Sequence, residues 1–233
     1  MLDQAFDALK TYDWGTDPNV LNPINDVVIS THGNEAARKQ LEARLAAVLK
    51  TGVSRDAKDF VCRKLMVVGT AASVPTLSEF LPDKDLSHMS RYALERIPAP
   101  EAAQALRDAL PKVSGALKVG VISSLGSRRD AGSVPALAAL LGDADVAVAS
   151  AAAYALGDIR TPEAAKALAE AKPAGAAMLA VTDGRLSCAE ALLTDGKKVE
   201  ALAVYKSLVG EEQPKHVRLA ATRGMLACAG KKE

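Results

Sequence analysis

Leucines repeat along the chain in two series that stay in phase. Both series have spacings of 29, 31 and 31 residues, and each leucine of the second-helix series precedes one of the first-helix series by 12 residues. The predicted first helices contain Leu77, Leu106, Leu137 and Leu168. The predicted second helices contain Leu65, Leu94, Leu125 and Leu156. Because self-similarity at a fixed period of about 20–50 residues is typical of repeat architectures, this pattern predicts stacked helical hairpins.

Helix start and stop signals agree with this period. Thr161, Pro162 and Glu163 combine an N-cap hydroxyl, a proline at the first helical position and an acid in the first turn. Pro75 and Pro135 fall near the start of two other first helices. Glycines follow three of the second-helix leucines and are predicted to end those helices: Gly69, Gly126 and Gly157. Since no run alternates between polar and apolar residues, we predict essentially no strand.

The helical pattern continues on both sides of these four repeats. Upstream, residues 35–49 and 56–68 are predicted to form a leading hairpin, because their apolar positions follow a helical period. Downstream, residues 178–193 form a longer predicted helix. Residues 199–209 and 216–229 form the last two helices of the predicted array.

These patterns define the expected fold and its organisation. The last unit is slightly tetratricopeptide-like, because Ala201, Tyr205 and Leu208 sit roughly where that motif places them. We expect an all-α fold, a right-handed α-solenoid of about six stacked helical hairpins. Residues 1–34 are expected to form an N-terminal capping segment, and residues 35–230 a single repeat array.

Two segments carry a family likeness. Residues 143–159 resemble the second-helix signature of the short HEAT-like repeats of bacterial proteins. Residues 125–137 resemble the junction between two successive repeats of that kind. The likeness covers roughly residues 35–230. It implies an armadillo-like solenoid that acts as a scaffold and binds a partner through the concave surface of its second helices.

Composition narrows the functions expected of such a fold. The chain has 29 Lys and Arg against 28 Asp and Glu, so a net charge of +1 gives no global field that attracts nucleic acid. Only 3% of residues are aromatic, which is low for a catalytic pocket or a base-stacking surface. We therefore expect a non-catalytic scaffold with a protein partner. The alternative is a HEAT-like nucleic-acid-binding protein or DNA glycosylase-type enzyme, which would need a basic, aromatic-rich surface beside a catalytic acid.

Candidate partner-binding residues come from the second helices and the loops after them. Helix geometry predicts that residues two and six positions before each second-helix leucine face solvent. This row and the loops supply eight candidates: Arg63, His88, Tyr92, Arg96, Arg128, Arg129, Tyr154 and Arg160. The arginines either bind anionic groups of a partner or cap helix C-termini. The tyrosines either anchor a partner or pack between repeats.

The remaining chemistry-bearing residues are interpreted structurally. His88, Arg91 and Glu95 share one helix at spacings of 3 and 4, which favours a solvated pairing over a catalytic or metal cluster. Trp14, the sole tryptophan, is expected to pack an N-terminal cap over the first hydrophobic face, with ligand stacking as the alternative. Since no HExxH motif is present, we predict no catalytic residue, metal or cofactor.

Cysteine usage and the N-terminal residues leave the cellular location open. The three cysteines lack metal-finger spacing and are expected to be small buried hydrophobes: Cys62, Cys188 and Cys228. Residues 1–7 carry acids where a signal peptide would carry lysines. We expect no membrane span, because the longest apolar stretches fall short of the ~18 residues that one needs. The protein is expected in the cytoplasm or, after removal of a leader, in the periplasm.

Overall fold

The computed structural model describes residues 1–172, 175 and 177–230, and over these residues the chain contains fourteen α-helices and no strand. The helices span Leu2–Ala8 (α1), Asn22–Ser30 (α2), Glu35–Leu49 (α3), Arg55–Val68 (α4), Val74–Ser78 (α5), Ser87–Arg96 (α6), Pro100–Ala109 (α7), Gly115–Ser127 (α8), Val134–Ala139 (α9), Val146–Ile159 (α10), Pro162–Glu170 (α11), Ala177–Thr194 (α12), Lys198–Lys206 (α13) and Lys215–Cys228 (α14). From α3 onward they alternate as first and second helices of six hairpins, which confirms the predicted all-α repeat fold.

The helices belong to two compact units, Met1–Ser124 and Leu125–Glu233, and the boundary between the units falls within α8. In the first unit, the first helices α5 and α7 contact each other, and so do the second helices α4 and α6. In the second unit, α9 contacts α11 and α10 contacts α12. Each unit is therefore a stack in which like helices of successive hairpins are neighbours, as in helical-repeat proteins.

The predicted helix starts are confirmed by their capping contacts. The Thr161 hydroxyl accepts the N–H of Ala164 at 3.2 Å, and Pro162 occupies the first turn of α11. Ser54 and Asp145 cap α4 and α10 in the same way. Because these side chains satisfy N–H groups that have no partner within the helix, they fix where each helix begins. The helices predicted outside the four central repeats end within three residues of their predicted positions.

The N-terminal helices pack on the first hairpin. Leu9 and Ile24 are buried between α1 and α2, and α2 contacts both α3 and α4. Arg44 of α3 holds α1, because its guanidinium lies 4.0 Å from the ring centroid of Phe6 and donates to the Asp3 carboxylate at 2.7 Å. These contacts cover one side of the first hairpin.

Two polar side chains of α3 fix the segment that follows α4. Arg38 donates from Nε to the carbonyl of the last residue of α4 at 2.8 Å, and from Nη2 to the carbonyl of Gly69 at 3.0 Å. Glu42 is only 3% exposed and accepts the N–H of Thr70 and the hydroxyl of Ser73, both at 2.6 Å. Since Arg38 and Glu42 lie one turn apart, they together satisfy the carbonyls that end α4 and the donors that start the next turn.

Gly126 and Gly157 do not end their helices, and this part of the sequence prediction is wrong. Both lie inside second helices, where another second helix of the same unit comes close. A Cβ atom at Gly126 would lie 2.8 Å from the Cα of Ala155, and one at Gly157 would lie 2.7 Å from the Cα of Gly184. These glycines therefore serve close helix packing, whereas Gly69 does follow the end of α4 as predicted.

The last hairpin buries the three residues that the sequence likens to a tetratricopeptide repeat. Ala201, Tyr205 and Leu208 are all inaccessible to solvent or nearly so. The Tyr205 ring occupies the space that a side chain at position 224 would fill, so Gly224 of α14 makes room for it. Burial raises the pKa of the Tyr205 phenol to about 12. Tyr205 is therefore a packing residue and stays protonated at neutral pH.

Candidate functional site

An exposed indole stands in the loop between α1 and α2. Trp14 is 93% exposed. The loop is fixed by hydrogen bonds, because the Asp13 carboxylate accepts the Trp14 N–H at 2.8 Å and the Thr16 hydroxyl accepts the Asp13 N–H at 3.1 Å. Gly15 in the same turn has a φ of 84°, which residues with a side chain rarely adopt. The loop backbone is thus held by local hydrogen bonds, and the indole extends into solvent.

The prediction that Trp14 packs a cap over the first hydrophobic face is wrong. Apolar residues of α1 and α2 already cover that face, and Tyr12 is the loop ring that packs inward, 6.3 Å from the ring of Phe60. The Ser54 hydroxyl donates to the Tyr12 carbonyl at 2.5 Å, so the backbone is held just before Trp14. The indole is consequently available to a ligand, which was the alternative interpretation of this residue.

A pocket of about 510 Å³ lies beside the indole, and we call it the Trp14 pocket. Its aromatic lining consists of Tyr12, Trp14 and Phe60. Its charged lining consists of Asp13, Arg55, Asp56, Asp59 and Arg63. Arg63 Nε donates to Asp59 Oδ2 at 2.9 Å, and Arg55 Nη1 lies 3.6 Å from Asp56 Oδ1. The pocket therefore combines aromatic rings with paired charges.

A second pocket of about 250 Å³ continues from the first along α4 and α6, because Asp59 and Arg63 line both. His88, Met89 and Tyr92 complete its lining. His88 and Tyr92 lie one turn apart on α6, with ring centroids 6.4 Å apart and ring planes at 28°. The two pockets together form what we call the aromatic groove. Four of the eight Phe, Trp and Tyr residues of the chain line this groove.

Three of the predicted partner-binding residues meet in the aromatic groove. Arg63, His88 and Tyr92 come from the predicted solvent-facing row, and all three are exposed. Arg96 is also exposed, at the end of α6, and belongs to neither pocket lining. Phe60 was not predicted, although it lies three residues before Arg63 and so on the same face of α4. The helical spacing that identified Arg63 could have identified Phe60 as well.

Arg91 and Glu95 contact the next second helix, and both are half-buried rather than solvated as expected. Arg91 Nη1 donates to the Gly120 carbonyl at 3.0 Å and to the Ser124 hydroxyl at 3.1 Å. The same hydroxyl donates to the Glu95 carboxylate at 2.7 Å. Burial lowers the pKa of the Arg91 guanidinium. These contacts hold α6 against α8, so of the three residues only His88 lines the groove.

The predicted arginines of the second unit lie at the ends of second helices. Among the residues that the structure describes, Arg129 and Arg160 are the two non-glycine residues with a positive φ, at 52° and 59°. The Arg160 N–H donates to the Leu156 carbonyl at 3.1 Å, and Arg160 Nε donates to the Gly157 carbonyl at 3.3 Å. This geometry agrees with the capping alternative, in which arginine satisfies the last carbonyls of a helix.

The other two candidates of the second unit are Tyr154 and Arg128. Tyr154 is 50% exposed on α10. Arg128 directly follows α8 and is half-buried. In the first unit, Tyr92 is 43% exposed. Both tyrosine rings are therefore accessible to a partner.

Replacing Arg129 with glycine is expected to raise the free energy of unfolding by about 0.5–1 kcal/mol, measured by urea denaturation. The Arg129 N–H donates to the Gly126 carbonyl at 2.8 Å, and the Asp130 N–H donates to the Leu125 carbonyl at 3.1 Å, which is a Schellman turn. Glycine fits the left-handed position of this turn without steric cost. Arg129→Ala is the control, since it removes the same guanidinium and keeps the strain. An equal gain with alanine would contradict the backbone explanation.

The three thiols of the chain lie in buried or half-buried positions. Cys62 and Cys188 are buried as predicted, and burial raises the pKa of their thiols to about 12 and about 11. Because the thiolate is the nucleophile, both are inert at neutral pH. Cys228 is half-buried. Over the described part of the chain, no group of three His, Cys, Asp or Glu residues could hold a metal ion, and no helix is long and apolar enough to cross a membrane.

Comparisons with known proteins give one family match. A search of curated protein sequences finds no match. The crystal structure of an engineered protein is similar at 18% identity and a TM-score of 0.47, over 98% of this chain and 69% of that one. Human deoxyhypusine hydroxylase in complex with glycerol is similar at 15% identity and a TM-score of 0.36, over 99% and 96% of the two chains. Residues 112–174 match the family model of HEAT repeats, in agreement with the resemblance of residues 125–137 and 143–159 to repeats of that kind.

Proposed function

We propose that this chain is a non-catalytic scaffold that binds a partner protein through the exposed surface of its second helices. HEAT repeats generally serve as protein-interaction scaffolds. The aromatic groove carries the proposal, because half of the Phe, Trp and Tyr residues of a ring-poor chain line one accessible groove. Tryptophan, tyrosine and arginine are the residues most enriched at the energetic centres of protein interfaces.

The proposed contact residues differ between the two units. In the first unit, Trp14 supplements the four predicted residues, which are Arg63, His88, Tyr92 and Arg96. In the second unit, the proposed residues are Arg128, Arg129, Tyr154 and Arg160. The first-unit residues gather in the aromatic groove, apart from Arg96. We therefore place the main contact in the first unit.

The alternative function, nucleic-acid binding or DNA glycosylase-type catalysis, has less support. Such a site needs a basic surface with a catalytic acid beside it. The Trp14 pocket instead has three carboxylates and two guanidinium groups. Glu42, the one buried acid among the residues that the structure describes, is bound to Thr70 and Ser73 and serves the fold. Tight DNA binding at low salt in a mobility-shift assay would reverse this preference.

Site-specific photocross-linking tests the scaffold function. A benzoylphenylalanine at position 92 is expected to cross-link to the partner in cells of the natural host. The same group at Ile29, which is 73% exposed on α2 and outside the groove, is the control and should give no cross-link. With the identified partner purified, Trp14→Ala and Tyr92→Ala are each expected to weaken binding by at least about tenfold in calorimetry.

The control for these affinity measurements is Ile29→Ala, which removes an exposed apolar side chain outside the groove. It should leave the dissociation constant unchanged. Equal cross-linking at positions 92 and 29, or an unchanged constant for both groove variants, would contradict the proposed surface.

A further inference from the structure

We infer that the Trp14 pocket receives an arginine side chain of the partner. This inference rests on the proposed scaffold function and adds the chemistry of its central contact. It is carried by the charge on the pocket wall, by the exposed indole and by the presence of Asp13 in the same pocket lining.

The charges of the Trp14 pocket favour a cation. Two of its three carboxylates have a guanidinium nearby: Arg63 binds Asp59 at 2.9 Å, and Arg55 lies 3.6 Å from Asp56. Asp13 forms no salt bridge with any residue that the structure describes. An entering cation would therefore meet a carboxylate whose charge is not yet compensated. An anion would meet the Asp13 carboxylate, and an apolar side chain would desolvate Asp13 without replacing its lost contacts with water.

The rings of the pocket favour the same ligand. Lys64 already places its Nζ 4.6 Å from the ring centroid of Phe60, so one ring of this lining makes a cation–π contact within the chain. Trp14 has an accessible ring, and tryptophan is the strongest cation–π partner among the side chains. Its face is therefore suited to a second cation, supplied by the partner.

Arginine fits the pair of Trp14 and Asp13 better than lysine does. A planar guanidinium can stack on an indole and at the same time donate two parallel hydrogen bonds to a carboxylate. Asp13 and Trp14 are adjacent and line the same pocket, and the backbone N–H of Trp14 holds the Asp13 carboxylate at this turn. Because the loop backbone is already held by hydrogen bonds, on the side of this chain binding has mainly the exposed indole left to order.

Tryptophan fluorescence tests the inference, since Trp14 is the only tryptophan of the chain. Titration of the full chain with the peptide acetyl-Gly-Arg-Gly-amide is expected to give a saturable change in emission. The same peptide with citrulline, which has the shape of arginine without its charge, is expected to bind at least about three- to fivefold more weakly.

Two charge-removing variants sharpen the assay. Asp13→Asn keeps an oxygen that can accept the Trp14 N–H and removes the charge, so it is expected to weaken binding of the arginine peptide by about three- to fivefold. Glu79→Gln removes a carboxylate at the end of α5, outside the pocket, and should leave binding unchanged.

Equal affinity for the two peptides, or full binding by Asp13→Asn, would overturn the inference. A saturable response to the neutral disaccharide maltose, with none to the arginine peptide, would replace it with a sugar site. If the arginine peptide fails to bind while Trp14→Ala still weakens binding of the purified partner, the arginine inference fails and the scaffold function stands. If the peptide binds as expected while Trp14→Ala and Tyr92→Ala both bind the partner with unchanged affinity, the Trp14 pocket is an arginine site but the aromatic groove is not the scaffold surface.

Discussion

Replacing Gly157 with alanine is expected to lower the free energy of unfolding by about 2 kcal/mol, although alanine favours a helix by ~1 kcal/mol over glycine. Gly157 lies inside α10, and the new methyl group would lie 2.7 Å from the Cα of Gly184 on α12. Since that atom belongs to the backbone, no side-chain rotation can relieve the overlap, and the two helices must separate. Close-packed interiors accommodate such a shift poorly, so the steric cost exceeds the gain in helix propensity.

Urea denaturation followed by circular dichroism measures this effect. Gly142→Ala is the matched control, because Gly142 lies in the same unit and a methyl group there meets no atom within 4 Å. Its effect is expected to stay within about 0.5 kcal/mol. Gly184→Ala should resemble Gly157→Ala, since its methyl group would lie 2.8 Å from the Ala153 carbonyl oxygen. Wild-type stability of the Gly157→Ala protein would mean that α10 and α12 lie further apart than the structure places them.

The leucine register was sufficient to predict the hairpins. Leu65, Leu94 and Leu156 are all fully buried, because each repeat must bury the same face of its second helix. The role of Gly157 could not be predicted in this way. A glycine that follows a leucine near the end of a helix has the same local sequence pattern in two different roles: it can end the helix, or it can allow a second helix to pack closely. Only the position of the second helix distinguishes the two roles.

The aromatic groove was predictable on its helical side only. Counting residues from the buried leucines places Arg63, His88 and Tyr92 on the exposed face, because helical geometry relates every position to the anchor. Trp14 lies in an irregular loop that has no such period. The loop backbone before Trp14 is held by the hydrogen bond from the Ser54 hydroxyl to the Tyr12 carbonyl, which joins residues 42 positions apart. Such a contact leaves no local pattern in the sequence.

The arginines at helix ends show how structural and binding roles can share a position. Arg129 and Arg160 are 31 residues apart, which is one repeat, and both have a left-handed backbone conformation. The turn fixes where each side chain leaves the helix end. A position at the helix end therefore does not prevent these guanidinium groups from contacting a partner. Arg129→Gly separates the structural role from the binding role, because it should stabilise the fold while removing the proposed contact.

Replacing Glu42 with alanine is expected to lower the free energy of unfolding by about 3 kcal/mol, because buried donors would lose their acceptor. The carboxylate accepts the Thr70 N–H at 2.6 Å, the Thr70 hydroxyl at 2.9 Å and the Ser73 hydroxyl at 2.6 Å. Since Glu42 is 3% exposed and Ser73 is fully buried, water does not readily replace these bonds. Thermal and urea unfolding measure the loss.

Two further variants separate the hydrogen bonds of Glu42 from helix propensity and surface charge. Glu42→Gln keeps one carbonyl oxygen at nearly the same place and should cost less than alanine, because part of the acceptor capacity remains. Glu35→Ala removes an acid from the same helix, where it pairs with Lys39 at 2.7 Å in solvent, and should leave stability unchanged. If Glu42→Ala were as stable as Glu35→Ala, the segment after α4 would be held by Arg38 alone, and Arg38→Ala should then cause the full loss expected for Glu42.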